Sequence, residues 1–213
     1  MLKKISISLM IIFMCFSSLN FTNVKADTIT NQDSTIEKKV LTSEKEVLEY
    51  AKKYNLPLEN EGKKISEIIL NTDTNAVNQI NSANIQISPR IGDVCQILYP
   101  YEGYNTNRIA WSTSGTGPGT ISNTVSKETS SEIFGQFTGK AEVVEATVGF
   151  KIGEKTTCTS SYSVTLASGE YARIVGYFRY KGYFVKYYTW GGLNYVGTYE
   201  VGRPIGIDFV VYK

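Results

Sequence analysis

The stretch Thr156-Thr157-Cys158-Thr159-Ser160-Ser161-Tyr162-Ser163-Val164-Thr165-Leu166 decides the fold class. Cys158, Tyr162, Val164 and Leu166 share one side of a period-two alternation; Thr157, Thr159, Ser161, Ser163 and Thr165 share the other. Successive strand side chains point to opposite faces, so this run reads as a half-buried β-strand with a hydroxyl-bearing outer face.

The same period recurs upstream. Residues 120–137 set Ile121, Val125, Ile133 and Phe137 against Ser122, Thr124, Ser126 and Ser130. Residues 142–152 place Val144, Ala146, Val148, Phe150 and Ile152 on one side; the composition allows a helix, and the period favours a strand. Residues 94–101 and 108–112 read as shorter strands divided by a turn at Glu102-Gly103-Tyr104-Asn105. Downstream, strands over 170–180 and 183–190 flank Lys181-Gly182, read as a two-residue hairpin turn. Gly191-Gly192 turns the chain into 193–200, and Val201-Gly202-Arg203-Pro204 leads to a last strand over 205–212. Strand after strand without an intervening helix predicts a mainly β protein, an antiparallel sheet or sandwich spanning 91–213.

The N-terminal part reads differently. Ser43 and Glu46 form a capping box for a short helix over 43–54, and Ile65, Ile68 and Ile69 give a second over 63–70. Residues 27–42 are polar and 72–88 are rich in Asn, Thr and Ser. The segment 27–90 is therefore expected to be a polar leader with two short helices and a linker, either a spacer or a prosegment. Residues 1–26 read as a secretory signal: Lys3 and Lys4, an apolar run over 5–16, and Ala26 before a cleavage point. That run is too short to span a membrane, so the protein is expected to be secreted. Beyond residue 26 lie Cys95 and Cys158, an even number in an oxidising compartment. A disulfide between them would close a loop of roughly 60 residues, worth about 4 kcal/mol.

The 213 residues include no histidine, which excludes Ser-His-Asp and Cys-His nucleophilic machinery and every His-containing metal site. Past the signal the charges nearly balance, so charge steering toward nucleic acid is not expected. Gly115-Thr116-Gly117-Pro118-Gly119 precedes a strand pattern where a phosphate cradle needs a helix, and Gly135 to Gly139-Lys140 misses the P-loop spacing. Glu128 and Glu132 share a strand face about 13 Å apart, beyond the roughly 5–9.5 Å of paired glycosidase carboxylates. The chain is read as a non-enzyme without cofactor or metal.

The distinctive feature is an aromatic, basic stretch. Tyr171, Arg173, Tyr177, Arg179, Lys181, Tyr183, Lys186, Tyr187 and Trp190 form the candidate surface-binding set, with no acid between 171 and 190. Alternation assigns Tyr171, Arg173, Val175, Tyr177 and Arg179 to an exposed face and Ala172, Ile174, Gly176, Phe178 and Tyr180 to the core. Tyr and Trp suit a membrane interface or a polysaccharide, and the cations add attraction to anionic lipid or wall polymer.

Alternating apolar and Ser/Thr faces also suit a transmembrane β-hairpin, stored against the protein's own sheet and closed into a ring on assembly. With its Ser/Thr-striped strands at 120–137 and 156–166, followed by Ala167-Ser168-Gly169 and a basic-aromatic strand, the chain resembles the tail domain of aerolysin and epsilon-toxin-type β-pore-forming toxins. In that family such a strand often enters a Pro-Ala-Gly-like turn, the toxins are usually longer with a separate receptor-binding domain, and their insertions exceed 137–156. The 91–213 segment is also similar to small secreted Gram-positive bacterial proteins of unassigned activity. The resemblance implies a toxin-like or bacteriocin-like, pore-forming protein that forms homo-oligomers on membranes. The alternative from the residues is a non-catalytic module binding carbohydrate, cell wall or a host surface. Position discriminates: a detachable flap over 120–166 supports the pore, and central strands covered on both faces oppose it.

Overall fold

The computed structural model describes residues 36–81 and 92–213; the expected signal at 1–26, the start of the leader and the end of the linker lie outside the described residues. The described chain is mainly β and antiparallel. Its elements are β1 (Ile36–Leu41), α1 (Glu44–Lys53), β2 (Glu59–Asn60), β3 (Lys63–Asp73), α2 (Thr74–Asn81), β4 (Val94–Thr116), β5 (Gly119–Ser130), β6 (Glu132–Phe134), α3 (Ala141–Val148), β7 (Lys155–Leu166), β8 (Tyr171–Thr189) and β9 (Asn194–Tyr212). The main sheet runs β1-β3-β9-β8-β4, with β2 beside β3 and β6 beside β9. β5 and β7 form a separate two-stranded sheet.

β8 organises the layers. Its even-numbered side chains Ala172, Ile174, Phe178 and Tyr180 pack with Val125, Cys158, Tyr162, Val164 and Leu166 of the β5–β7 pair. On the odd side, Val175 and Tyr177 pack with Leu41, Val47, Ala51 and Leu56 from the N-terminal segment. Further along that face Val185 and Tyr187 meet Val144 and Val148 of α3. The sheet is thus covered by a hairpin on one face and by helices on the other, which excludes water from both sides of the central strands.

Several local expectations are corrected. Residues 63–70 form a strand, not a helix: a bulge between Ile65 and Glu67 sets Ile65 and Ile68 on one face with Leu70, and Ile69 on the other. A bulged strand buried on both sides imitates helical spacing. Residues 142–152 begin as helix, not strand, because Val144 and Val148 satisfy both periods, and Gly149 ends α3 at φ 79°. Lys181-Gly182 is no turn; β8 runs straight through it. Gly182 is there because a Cβ would lie 2.0 Å from the Val201 carbonyl oxygen. The expected breaks at 102–105 and 201–204 lie inside continuous β4 and β9: residues 101–104 and 201–204 pair with β8 in register, and the shifts fall beyond them, between Tyr104 and Ile109 and between Pro204 and Gly206. Pro204 is tolerated in β9 between its pairings with β6 at Gly202 and with β3 at Phe209.

The segment read as a leader supplies β1 and β3, and β3 lies inside the sheet between β1 and β9. It is tied in by a buried polar network. Arg179 Nε lies 3.2 Å from Asp208 Oδ2, and Arg179 Nη1 lies 3.4 Å from Glu102. Asn71 N–H donates to Asp208 Oδ1 at 2.7 Å, Tyr104 donates to the other Asp208 oxygen, and Tyr50 and Tyr104 hydroxyls share a bond of 2.7 Å. Arg179 also donates to Thr72 Oγ1. Desolvation pushes the Asp208 carboxyl above the usual carboxylate range, against the pull of Arg179.

The expected Cys95–Cys158 disulfide is corrected too: both are free thiols. Cys158 packs under the hairpin on the even face, whereas Cys95, opposite Tyr187 in β4, packs with α3 on the odd face. Burial raises the Cys158 thiol to about 12 and Cys95 to about 11.

Two outcomes follow from this packing. Alkylation of unreduced protein is expected to label both cysteines only in denaturant; a bridged pair would resist labelling there as well. Arg179→Met strands a buried carboxylate and is expected to cost about 3–5 kcal/mol in urea unfolding, with Arg179→Met/Asp208→Leu recovering much of that loss.

Candidate functional site

The β5–β7 hairpin carries the feature most open to function. Its strands pair in unbroken register from Gly119↔Leu166 to Ser130↔Lys155, and among the described residues they pair only with each other. The outer face sets Thr120 beside Thr165, Ser122 beside Ser163, Thr124 beside Ser161, Ser126 beside Thr159, and Glu128 beside Thr157. Cross-strand hydroxyl bonds join Thr120 to Thr165 at 3.2 Å and Ser126 to Thr159 at 2.9 Å. The inner face buries Val125, Cys158, Tyr162, Val164 and Leu166, with Asn123 and Lys127 exposed on β5. Two polar contacts add to this packing: the Thr129 and Tyr180 hydroxyls at 2.9 Å, and the Ile207 N–H donating to Ser160 Oγ at 3.3 Å.

The hairpin's base is a tight crossing. Gly117 N–H donates to the Glu170 carbonyl at 2.8 Å, and a Cβ on Gly117 would lie 2.0 Å from the Ala167 carbonyl oxygen. Ala167 N–H donates to Glu170 Oε2 at 2.8 Å, and Lys213 Nζ lies 3.2 Å from the other carboxylate oxygen. The Ala167 N–H, with Lys213 behind it, holds the Glu170 carboxyl below its ordinary value.

At the far end of the sheet the β8–β9 turn forms an apolar tip. Trp190 and Leu193 are 81% and 89% exposed, and Tyr195 is 54% exposed. Trp190 sits at φ 57° and Gly191 at φ 66°. Left-handed backbone costs a bulky residue about 1–2 kcal/mol, so the fold keeps an indole outside at an energetic cost. The even face beyond the hairpin continues to the tip as Tyr99 against Phe184, with ring centroids 4.6 Å apart, then Lys186, then Tyr188 against Tyr195 at 5.6 Å.

The sequence-predicted binding set does not form one exposed face. Tyr177, Arg179 and Tyr187 are buried, Tyr177 beneath the N-terminal segment and Tyr187 beneath α3 and Phe137. Tyr171, Arg173, Lys181, Tyr183 and Lys186 are half-buried, and Trp190 is exposed. Arg173 reaches Glu61 at 3.0 Å. Leu193, Tyr195 and Tyr99 were not among the candidates; the signal for the first two is that 187–195 carries no charge around two glycines. Among the described residues no cluster of acidic and cysteine side chains has the makings of a metal site. No protein-family model matches this chain, and no curated protein matches it.

A pH test isolates the hairpin base. A carboxyl with a lowered folded pKa stabilises the fold above its unfolded value and loses that contribution as pH falls through the folded one. Glu170→Gln is therefore expected to melt below wild type at neutral pH, the gap closing on acidification below about 4.3. A gap that persists at low pH would assign the loss to side-chain shape instead.

Proposed function

We propose that this is a membrane-acting protein whose β5–β7 hairpin leaves the sheet and, joined to copies of itself, lines a pore. The observation that carries the reading is a two-stranded sheet with an outer face chiefly of Ser and Thr and an inner face that is mostly apolar on β7 and mixed on β5, packed on the main sheet without a shared ladder. β5 and β7 have 12 residues each, and a tilted transmembrane strand needs about 9–11. In a ring the hydroxyl face turns to water, Val125, Tyr162, Val164 and Leu166 turn to lipid, and neighbouring hairpins satisfy the strand edges. Lys127 lies near the Ser130↔Lys155 end, where a charge meets the interface rather than the bilayer centre. The Trp190, Leu193 and Tyr195 tip is the contact element, since Trp and Tyr settle at headgroup depth.

The open aromatic row of Tyr99, Phe184, Tyr188 and Tyr195 about Lys186 favours a second reading, a module that stacks on sugar rings of a glycan or wall polymer.

Dye release from anionic and neutral vesicles, with gel analysis for resistant oligomers, tests the membrane reading. Release with a discrete oligomer is expected; intact vesicles and a monomer throughout would sink it and send the tip to glycan arrays. Trp190→Ala is expected to weaken vesicle binding about tenfold, roughly 1.4 kcal/mol. Ser161→Lys lies on the exposed hydroxyl face and leaves the soluble fold intact. In planar bilayers it is expected to shift channels toward anions; unchanged selectivity would remove this strand from the lumen.

A further inference from the structure

Residues 131–154 join the two hairpin strands, and they do not stay on the hairpin's side of the sheet. β6 pairs Glu132, Ile133 and Phe134 with Gly202, Val201 and Glu200 on the edge of β9. There Phe134 packs edge-on against Tyr180, centroids 5.1 Å apart, and beside Tyr101. Three residues later Phe137 packs edge-on against Tyr187 at 5.1 Å and Tyr199 at 5.0 Å. Tyr180 and Tyr187 are an odd number of positions apart in one continuous strand, so they point to opposite faces. α3 then buries Val144 and Val148 against Val185, Tyr187 and Val201 on that second face.

The segment returns to where it left. Gly153 N–H donates to the Ser131 carbonyl at 2.8 Å, and Ser131 N–H donates to the Glu154 carbonyl at 3.0 Å. The chain therefore leaves the hairpin, passes around the β9 edge, seats a helix on the far face and comes back. A polar anchor fastens it: Lys140 N–H donates to Tyr187 Oη at 2.8 Å, Tyr187 donates to Asp93 at 2.9 Å, and Lys140 Nζ lies 3.2 Å from Asp93.

We infer that residues 131–154 are an autoinhibitory clasp, hooked over the sheet edge, which must unhook before the β5–β7 hairpin can lift. For its purpose the inference rests on the membrane reading; its mechanics do not. Among the described residues the backbone ladder that holds it to the sheet is the three residues of β6, so the clasp is able to open without breaking the long ladders of the main sheet. It also adjoins the contact tip: Asp93 follows Gly92, whose carbonyl accepts the Gly191 N–H. Seating of the tip and release of the clasp thus act on neighbouring residues.

Two variants of the full exported chain test this, read by hydrogen exchange in solution and by dye release. Phe137→Ala loosens the clasp and is expected to speed exchange over 119–130 and 155–166 by about tenfold, with 209–212, held between β3 and β8, unchanged. Ile133→Cys/Val201→Cys, in a Cys95→Ser/Cys158→Ala background, locks β6 to β9 when oxidised. The oxidised form is expected to exchange more slowly over the hairpin than the reduced form, to bind vesicles and to release no dye until reductant is added. Hairpin exchange that ignores both variants overturns the clasp, as does full dye release from the locked form. Should Phe137→Ala also expose 209–212, the locked pair decides alone. A wild type that releases no dye, with hairpin exchange still slowed by the lock, rejects the membrane reading and leaves the clasp standing.

Discussion

Arg179 and Asp208 place opposite charges where water does not reach, and the rest of the architecture is arranged around satisfying them. A buried ion pair stabilises only when its remaining donors and acceptors are bonded as well. Here those partners come from three other elements: Asn71 and Thr72 on β3, Glu102 and Tyr104 on β4, and Tyr50 on α1 through Tyr104. No layer can slide without stranding a charge. The network therefore fixes the register of β8 on β9 and binds the N-terminal segment into the sheet as a working strand. Cutting away residues up to 90 would leave Tyr177, Val210 and Tyr212 bare on one face.

The β5–β7 hairpin is held by different physics. Its contacts with the sheet are chiefly apolar side chains, with few directional bonds, and its ends are managed by the turn at Glu170 and the segment that loops over β9. Stability is thus divided: long hydrogen-bonded ladders in β4, β8 and β9, and a cover that rests on them. Such a division lets one element open at a fraction of the global unfolding cost. The hydroxyl face, already solvated, loses nothing in hydration if the cover moves into another aqueous setting.

The Ser/Thr stripe at 155–166 was legible in the sequence because β7 has one dry face and one wet one, and period-two alternation records that difference. β3, β8 and β9 lack it. Both of their faces are covered, so Ile65-Ile68-Ile69 read as a helix and Tyr171-Arg173-Tyr177-Arg179 read as a wet face. What covers Tyr177 lies more than a hundred residues away, beyond the reach of a local pattern. Gly182 and the Val201-Gly202-Arg203-Pro204 run looked like turns because glycine and proline mark both turns and close strand crossings. Trp190 entered the candidate set by composition; Leu193 and Tyr195 did not, although the Gly191-Gly192 reversal beside them was legible, because a turn does not say which of its side chains stay in solvent.

The placement of β3 has a further consequence for how the chain acquires its structure. Ile65 pairs with Tyr212 and Ile69 with Phe209, so an inner strand from the early part of the chain waits for the last strand to be made. Local contacts cannot close this sheet in advance, and a topology of such distant pairings collapses late and slowly. A ribosome-bound or partly threaded chain therefore holds no finished sheet. The inner place between β1 and β8 stays unfilled until residues 209–212 are free to pair, so the sheet is completed only by the strand that is made last.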